Sequence, residues 1–202
     1  MMKSFKKAIA MLATVLMVST AFVGCGQKAA EETNANQQQN NTQQQSTANK
    51  KIKIGLSMDT LKEERWQKDR DMFKAKVEEL GGEVLVQAAQ GDDALQVSQA
   101  ENLISQGVDV LVVVPHNADA CATIVEKAHA ANIPVIAYDR LIKNSDVDLY
   151  ISFDNVKVGE LQAKYITSLV PKGNYVYIGG APTDNNATLF KQGAMNVLKP
   201  LI

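Results

Sequence analysis

Polar clusters punctuate the apolar stretches of the chain beyond residue 50, and their residue types share one kind of chemistry. They are Asp59-Thr60 with Arg65-Trp66 shortly after, then Pro115-His116-Asn117, Asp139-Arg140, Asp154-Asn155, and Pro182-Thr183-Asp184-Asn185-Asn186. A carboxylate accepts hydrogen bonds, a guanidinium donates from a planar fork, and an amide does both. An indole such as Trp66 offers a flat surface to an apolar C–H face. Taken together, the set suits a polyhydroxylated small molecule held in a cleft. Covalent chemistry is not indicated. No nucleophile, base and orienting group recur together, and acids with a lone His116 define no reaction class. His116 has no second His or Cys nearby and reads as a loop residue, so no metal, cofactor or enzymatic activity is expected.

Each candidate also has a structural reading. Trp66 falls on an apolar helical stripe, where a Trp is commonly core. Arg65 ends a charged run, Glu63-Glu64-Arg65, that suits a solvated helix end. Asp139 and Arg140 could pair with each other, and Asp184 could serve only as a helix N-cap. What favours the functional reading is their placement along the chain.

The elements that carry them alternate. Ile52–Met58 alternates as a strand does. Glu64–Leu80 has Trp66, Phe73, Val77 and Leu80 on one helical stripe, closed by Gly81-Gly82. Glu83–Gln87 reads as a strand. Asp92–Ser105 reads as a helix opened by two acids, which complement its N-terminal dipole. Val108–Val114 is a continuous apolar run, as for a strand buried on both faces. A helix over Ala118–Ala131 and strands over Pro134–Tyr138 and Leu149–Phe153 follow. A helix over Val156–Val170, a strand over Asn174–Ile178 and a helix over Asn186–Leu198 complete the series. This alternation predicts an α/β fold, a parallel sheet with helices on both faces and right-handed crossovers. Ligands of such sheets bind beyond the carboxyl ends of the strands, and every polar cluster above follows a strand.

The first fifty residues are of another kind. Lys3, Lys6 and Lys7 precede an uncharged apolar run, Ala8 to Val23, short for a membrane span and suited to a secretory leader. Phe22-Val23-Gly24-Cys25 resembles the bacterial lipobox, with Phe22 where Leu is usual. The resemblance implies cleavage before Cys25 and a diacylglycerol on its thiol. A plain cleaved leader with an incidental Cys is the other reading. Residues 26–50 are Gln/Asn-rich with no large apolar side chain, so they cannot bury enough surface to offset the entropy of ordering. They read as a flexible tether. The 202-residue chain has a net charge of -1, which gives no reason to expect nucleic acid as a partner. Its two cysteines, Cys25 and Cys121, form neither a disulfide framework nor a zinc pattern. Cys121 reads as a small buried residue of a helix.

Several runs beyond residue 50 resemble the bacterial D-xylose-binding proteins of ABC transporters. They are Lys53-Ile54-Gly55 through Glu64-Arg65-Trp66-Gln67-Lys68-Asp69-Arg70, then Gly107-Val108-Asp109-Val110-Leu111-Val112, and Ala137-Tyr138-Asp139-Arg140. Tyr150-Ile151-Ser152-Phe153-Asp154-Asn155 and Gly179-Gly180-Ala181-Pro182-Thr183-Asp184-Asn185-Asn186-Ala187 follow. The Tyr-Asp-Arg and Phe-Asp-Asn motifs are shared by many type I periplasmic sugar-binding proteins, whereas the Glu-Arg-Trp-Gln-Lys-Asp-Arg and Pro-x-Asp-Asn-Asn-Ala runs are narrower and point to xylose. The resemblance implies a two-lobed periplasmic-binding-protein type I fold that closes on one sugar. The first lobe would span 51–154 and a partial second lobe 155–202, with a hinge crossing near Phe153 to Val156. It implies Arg65, Asp139 and Arg140 as hydrogen-bonding residues and Trp66 as the stacking ring of the first lobe. Asp184 and Asn186 would act from the second. It implies D-xylose as ligand, an ABC permease as partner, a lipid-anchored extracytoplasmic location, and a chain truncated at its C-terminus.

Other classes differ in how they meet this pattern. A sugar-sensing domain reporting xylose to a membrane histidine kinase would share this sequence pattern. A repressor with the same core would carry a helix-turn-helix where the leader and glutamine tract stand. A dinucleotide enzyme would need Gly-x-Gly-x-x-Gly at the first strand–helix turn, and the chain has Gly55-Leu56-Ser57.

Overall fold

The computed structural model describes residues 50–202. The expected leader over 1–25, Cys25 and all of the expected tether except Lys50 lie outside the described residues. Five strands, β1 (Lys53–Met58), β2 (Glu83–Ala88), β3 (Val110–Val114), β4 (Val135–Tyr138) and β5 (Leu149–Ile151), form one sheet in the order β2-β1-β3-β4-β5. Every neighbouring pair is parallel. The helices are α1 (Glu64–Glu79), α2 (Asp93–Ser105), α3 (Ala122–Ala130), α4 (Asn155–Leu169) and α5 (Asn185–Leu198).

The apolar run in β3 is explained by cover on both faces. Leu111 and Val113 point into a core with Ala100 and Leu103 of α2, Ile124, Val125 and Ala128 of α3, and Val135 and Ala137 of β4. Val112 and Val114 point the other way, to Leu56 and Met58 of β1 and to Trp66, Phe73 and Val77 of α1. Period-two alternation therefore sends successive valines of β3 to opposite cores. The link from β4 to β5 has no helix. Instead Ile142 plugs the α2–α3 core, and Asp148 accepts from Val135 N at 2.7 Å.

Two expected elements differ from the structure. Residues 117–121 are turns ahead of α3, because the Asn117 side chain accepts from the backbone N of Asp119 and Ala120 and so competes with helix hydrogen bonding. Asn174–Ile178 is not a strand. A parallel strand exists through its ladder, and among the described residues none pairs with this segment. Val176 and Ile178 are 87% and 91% exposed. α4 and α5 pack on each other through small residues, Gly159 and Ala163 against Gly193 and Ala194, all buried.

Candidate functional site

The strand order reverses between β1 and β3, which is where ligands of open α/β sheets bind. Asp59 follows β1 and His116 follows β3, so these two flank the reversal point. Asp139 and Arg140 follow β4, and the first turn of α1 brings Arg65 and Trp66 over the same edge. The N-terminus of α5 reaches this edge too: Thr183 O accepts from Ala118 N at 3.0 Å.

A cleft of about 350 Å³ opens there, lined by Arg65, Trp66, Asp139, Arg140, Asp184 and Asn186, with Asn155 and the apolar Phe153, Val158 and Phe190. All six residues expected from the sequence line this one cleft. A cavity of about 540 Å³ runs along α4 and α5, but no charged side chain lines it. That cavity is the larger of the two, but polar chemistry favours the charged cleft.

The cleft is organised by crossed ion pairs. Asp139 does not pair with its neighbour Arg140. It takes Arg65, whose guanidinium also lies 3.5 Å from Asp69. Burial opposes the Arg65 charge, but the hydrogen bond and charge of Asp139 outweigh it and raise its pKa above the ordinary value. Arg140 donates to Asp59 Oδ2 at 2.7 Å and to Pro115 O at 3.2 Å, and its Nε lies 3.1 Å from Asp184 Oδ2. Both guanidiniums stack on one ring, 4.5 Å and 5.3 Å from the Trp66 centroid, where cation–π attraction favours them.

Asp139 is also held in an unusual backbone conformation, with φ at +64°. Asp tolerates this left-handed region better than most residues, at a cost of roughly 1–2 kcal/mol. The turn is secured at its carbonyl, which accepts from Ser152 Oγ at 2.6 Å, Asn186 Nδ2 at 3.1 Å and Tyr150 OH at 3.4 Å. Asn186 Nδ2 also lies 3.1 Å from Asp139 Oδ1, and Asn186 Oδ1 accepts from Asn155 at 3.0 Å.

Two of the structural readings, for Trp66 and Asp184, hold beside this arrangement. Trp66 is 5% exposed and packs in the α1-side core while its ring edges the cleft. Asp184 does cap α5, accepting from Asn186 N at 2.8 Å, and also meets Arg140. Asp59, His116 and Asn155 stood in the polar clusters read from the sequence but not among the six residues singled out for binding. His116, read as a loop residue, bonds Asp59 Oδ1 through Nδ1 at 2.8 Å. The signal for Asp59 was its position directly after β1, beside the reversal point. Phe153 was marked only by the Phe-Asp-Asn motif and the expected hinge crossing, and Val158 and Phe190 gave no signal, because an apolar side chain near a cleft looks like any other.

A parallel sheet with a charged cleft at the carboxyl ends of its strands, faced by a helix N-terminus, defines the ligand-binding α/β class. The chain belongs to the periplasmic binding protein domain family, which it matches over residues 54–201. It is 55% identical over 157 residues to the D-xylose-binding periplasmic protein of Haemophilus influenzae, covering 78% of this chain and 47% of the relative. It is 54% identical over 153 residues to the D-xylose-binding periplasmic protein of Escherichia coli, covering 76% and 46%. Among solved structures, it is similar to an ABC transporter solute-binding protein from Clostridium phytofermentans with bound β-D-glucose. The TM-score is 0.68 and the identity 40%, with 73% of this chain and 48% of that one covered. The chain spans about half the length of the curated relatives it matches.

Proposed function

We propose that the chain acts as an extracytoplasmic solute-binding protein that captures a monosaccharide, D-xylose, and delivers it to an ABC permease. In this reading residues 1–25 are a lipoprotein leader, 26–50 a tether from lipidated Cys25, 51–154 the first lobe, and 155–202 part of the second. Arg65, Asp139 and Arg140 hydrogen-bond sugar hydroxyls from one side of the cleft, Trp66 lies against the C–H face, and Asp184 and Asn186 close from the other. The observation that carries the reading is the cleft itself, a crossed set of two arginines and two aspartates on a tryptophan face. The identity to D-xylose-binding relatives supports the choice of sugar. Closure follows from geometry, since a ligand touching both sides stabilises the form in which they meet. No covalent step is involved.

Isothermal titration with D-xylose, D-ribose and D-glucose tests this. It is run on the chain from Lys51 onward and on a chimera extended with the C-terminal half of the Haemophilus influenzae relative. Xylose-selective binding by either form supports the reading. Absence of sugar binding by both refutes it and favours a protein-docking role. Tethering is tested separately, by mass spectrometry of the membrane-fraction protein and of its Cys25→Ser variant.

A further inference from the structure

We propose that Asp59 is a positioning residue for the cleft: pinned by His116 and Gln96, it fixes the Arg140 guanidinium against the Trp66 ring so that its free donors face the ligand. This rests on the sugar-binding reading for its purpose, and on geometry for its mechanism.

The geometry is a relay that runs from the core to the cleft. Gln96 of α2 is fully buried. Its Nε2 donates to Val114 O at 2.9 Å, and its Oε1 accepts from His116 N at 2.9 Å and from Cys121 Sγ at 3.4 Å. A buried amide with both ends engaged has one orientation, so the His116 backbone is fixed at the carboxyl end of β3. The imidazole Nδ1 then meets Asp59 Oδ1 at 2.8 Å. The other oxygen, Oδ2, takes Arg140 Nη1 at 2.7 Å.

The Asp59 side chain is 8% exposed. A buried charge is costly unless it is paired and hydrogen-bonded, and here both oxygens are satisfied, one by each neighbour. The cost has a return at Arg140. Its Nη1 is spent on Asp59 and Pro115 O, and its Nε lies beside Asp184. Nη2 has no hydrogen-bond partner among the described residues. A planar fork anchored along one side can point its remaining donors in only one direction. Asp184 caps α5, outside the sheet, so its hold on the guanidinium depends on where that helix is seated. Asp59 directly follows β1, an inner strand of the sheet. The relay therefore gives Arg140 a ligand-ready orientation whether or not α5 is in place.

The test reads Arg140 directly. The chain has one tryptophan, and the guanidinium lies 5.3 Å from its ring centroid, so Trp66 emission reports its position without any sugar. Asp59→Asn, Arg140→Gln and the double variant are made in the full chain, with far-UV circular dichroism to confirm that each folds. His116→Gln serves as a milder second probe. Asp59→Asn should change the emission in the same sense as Arg140→Gln, with no further change in the double variant, and His116→Gln should give part of that change. D-xylose affinity should fall at least tenfold in Asp59→Asn, with the double variant no weaker than Arg140→Gln. Non-additivity of this kind marks a residue that acts through another. Unchanged emission in Asp59→Asn while Arg140→Gln changes it would overturn the proposal, as would losses that multiply in the double variant. If neither the wild type nor the extended chimera binds sugar, the function reading fails, and the emission results alone still decide the positioning claim.

Discussion

The crossing of α4 and α5 gives a sharp prediction, because two opposed effects of one substitution differ in size. A Cβ on Gly193 would stand 1.9 Å from Val156 O and 2.8 Å from Glu160 N, and one on Gly159 would stand 2.1 Å from Phe190 O. Those atoms are helix backbone and cannot rotate away. Ordinary contact requires the helices to part by about 1.5 Å. Gly193→Ala gains about 1 kcal/mol in helix propensity, but overpacking at a rigid contact costs about 1–3 kcal/mol or more. Parting the helices also strips Ala163 and Ala194, both nearly fully buried, of their neighbours. The net expectation is a loss of about 2 kcal/mol. Urea unfolding followed by circular dichroism measures it, with Gln192→Ala on the exposed face of α5 as a control near zero. The site should feel the same shift. Asp184 and Asn186 each stand 3.1 Å from their partners Arg140 and Asp139, and a displacement of that size takes both contacts beyond hydrogen-bonding reach. If Gly193→Ala is as stable as the wild type or more so, propensity governs and the close crossing is wrong.

Four further outcomes follow from single residues. Arg140→Lys keeps the charge but cannot serve Asp59 and Asp184 with one ammonium, so it should lose about 1.5–3 kcal/mol of stability in urea titration. Asp139→Val places a β-branched residue at a φ of +64°, and should be about 1–3 kcal/mol less stable than Asp139→Asn. Burial pushes the Cys121 thiol up to about 11. Alkylation of the Cys121 peptide, followed by mass spectrometry, should therefore be negligible at neutral pH and rise steeply in urea. Asp148 has its carboxyl held below the usual range by the backbone N–H of Val135 and then by His129. Its contribution is complete above the unfolded carboxyl pKa and is lost as pH falls through the lower folded value. The stability gap between wild type and Asp148→Ala should thus be present at pH 7 and shrink as the protein is acidified.

Much of the sheet was legible because each strand carries its own period or run. Val110–Val114 is apolar at every position, and only a strand covered on both sides needs that. Of the α1 stripe, Trp66, Phe73 and Val77 found their core, whereas Leu80 falls just past the helix and is exposed. Asn174–Ile178 shows where local pattern stops being sufficient: Tyr175, Val176 and Tyr177 have strand character, but a strand is a relation between two segments, and the described residues supply no second one. The partner choices in the cleft were equally hidden. Asp139 and Arg140 are adjacent, and pairing them is the natural guess. At the end of β4 the backbone enters the left-handed region at Asp139, so the two side chains diverge, one to Arg65 and the other to Asp59 and Asp184. Nothing in the spelling Tyr-Asp-Arg announces that turn.

The competing readings of the candidate residues were not alternatives after all. Trp66 is both core and cleft wall, and Asp184 is both cap and ion-pair partner. This follows from where the cleft lies. At the carboxyl ends of parallel strands, the side chains that finish the sheet are the same ones that face the opening, so rigidity of the site is drawn from the packing of the fold. It also dictates how the site has to be dissected. Truncating Trp66 removes a buried ring and the seat of two guanidiniums together, so a lost affinity in Trp66→Ala would not separate contact from collapse. Paired substitutions along one chain of contacts do separate them, because a residue that works only through Arg140 has nothing left to lose once Arg140 is gone.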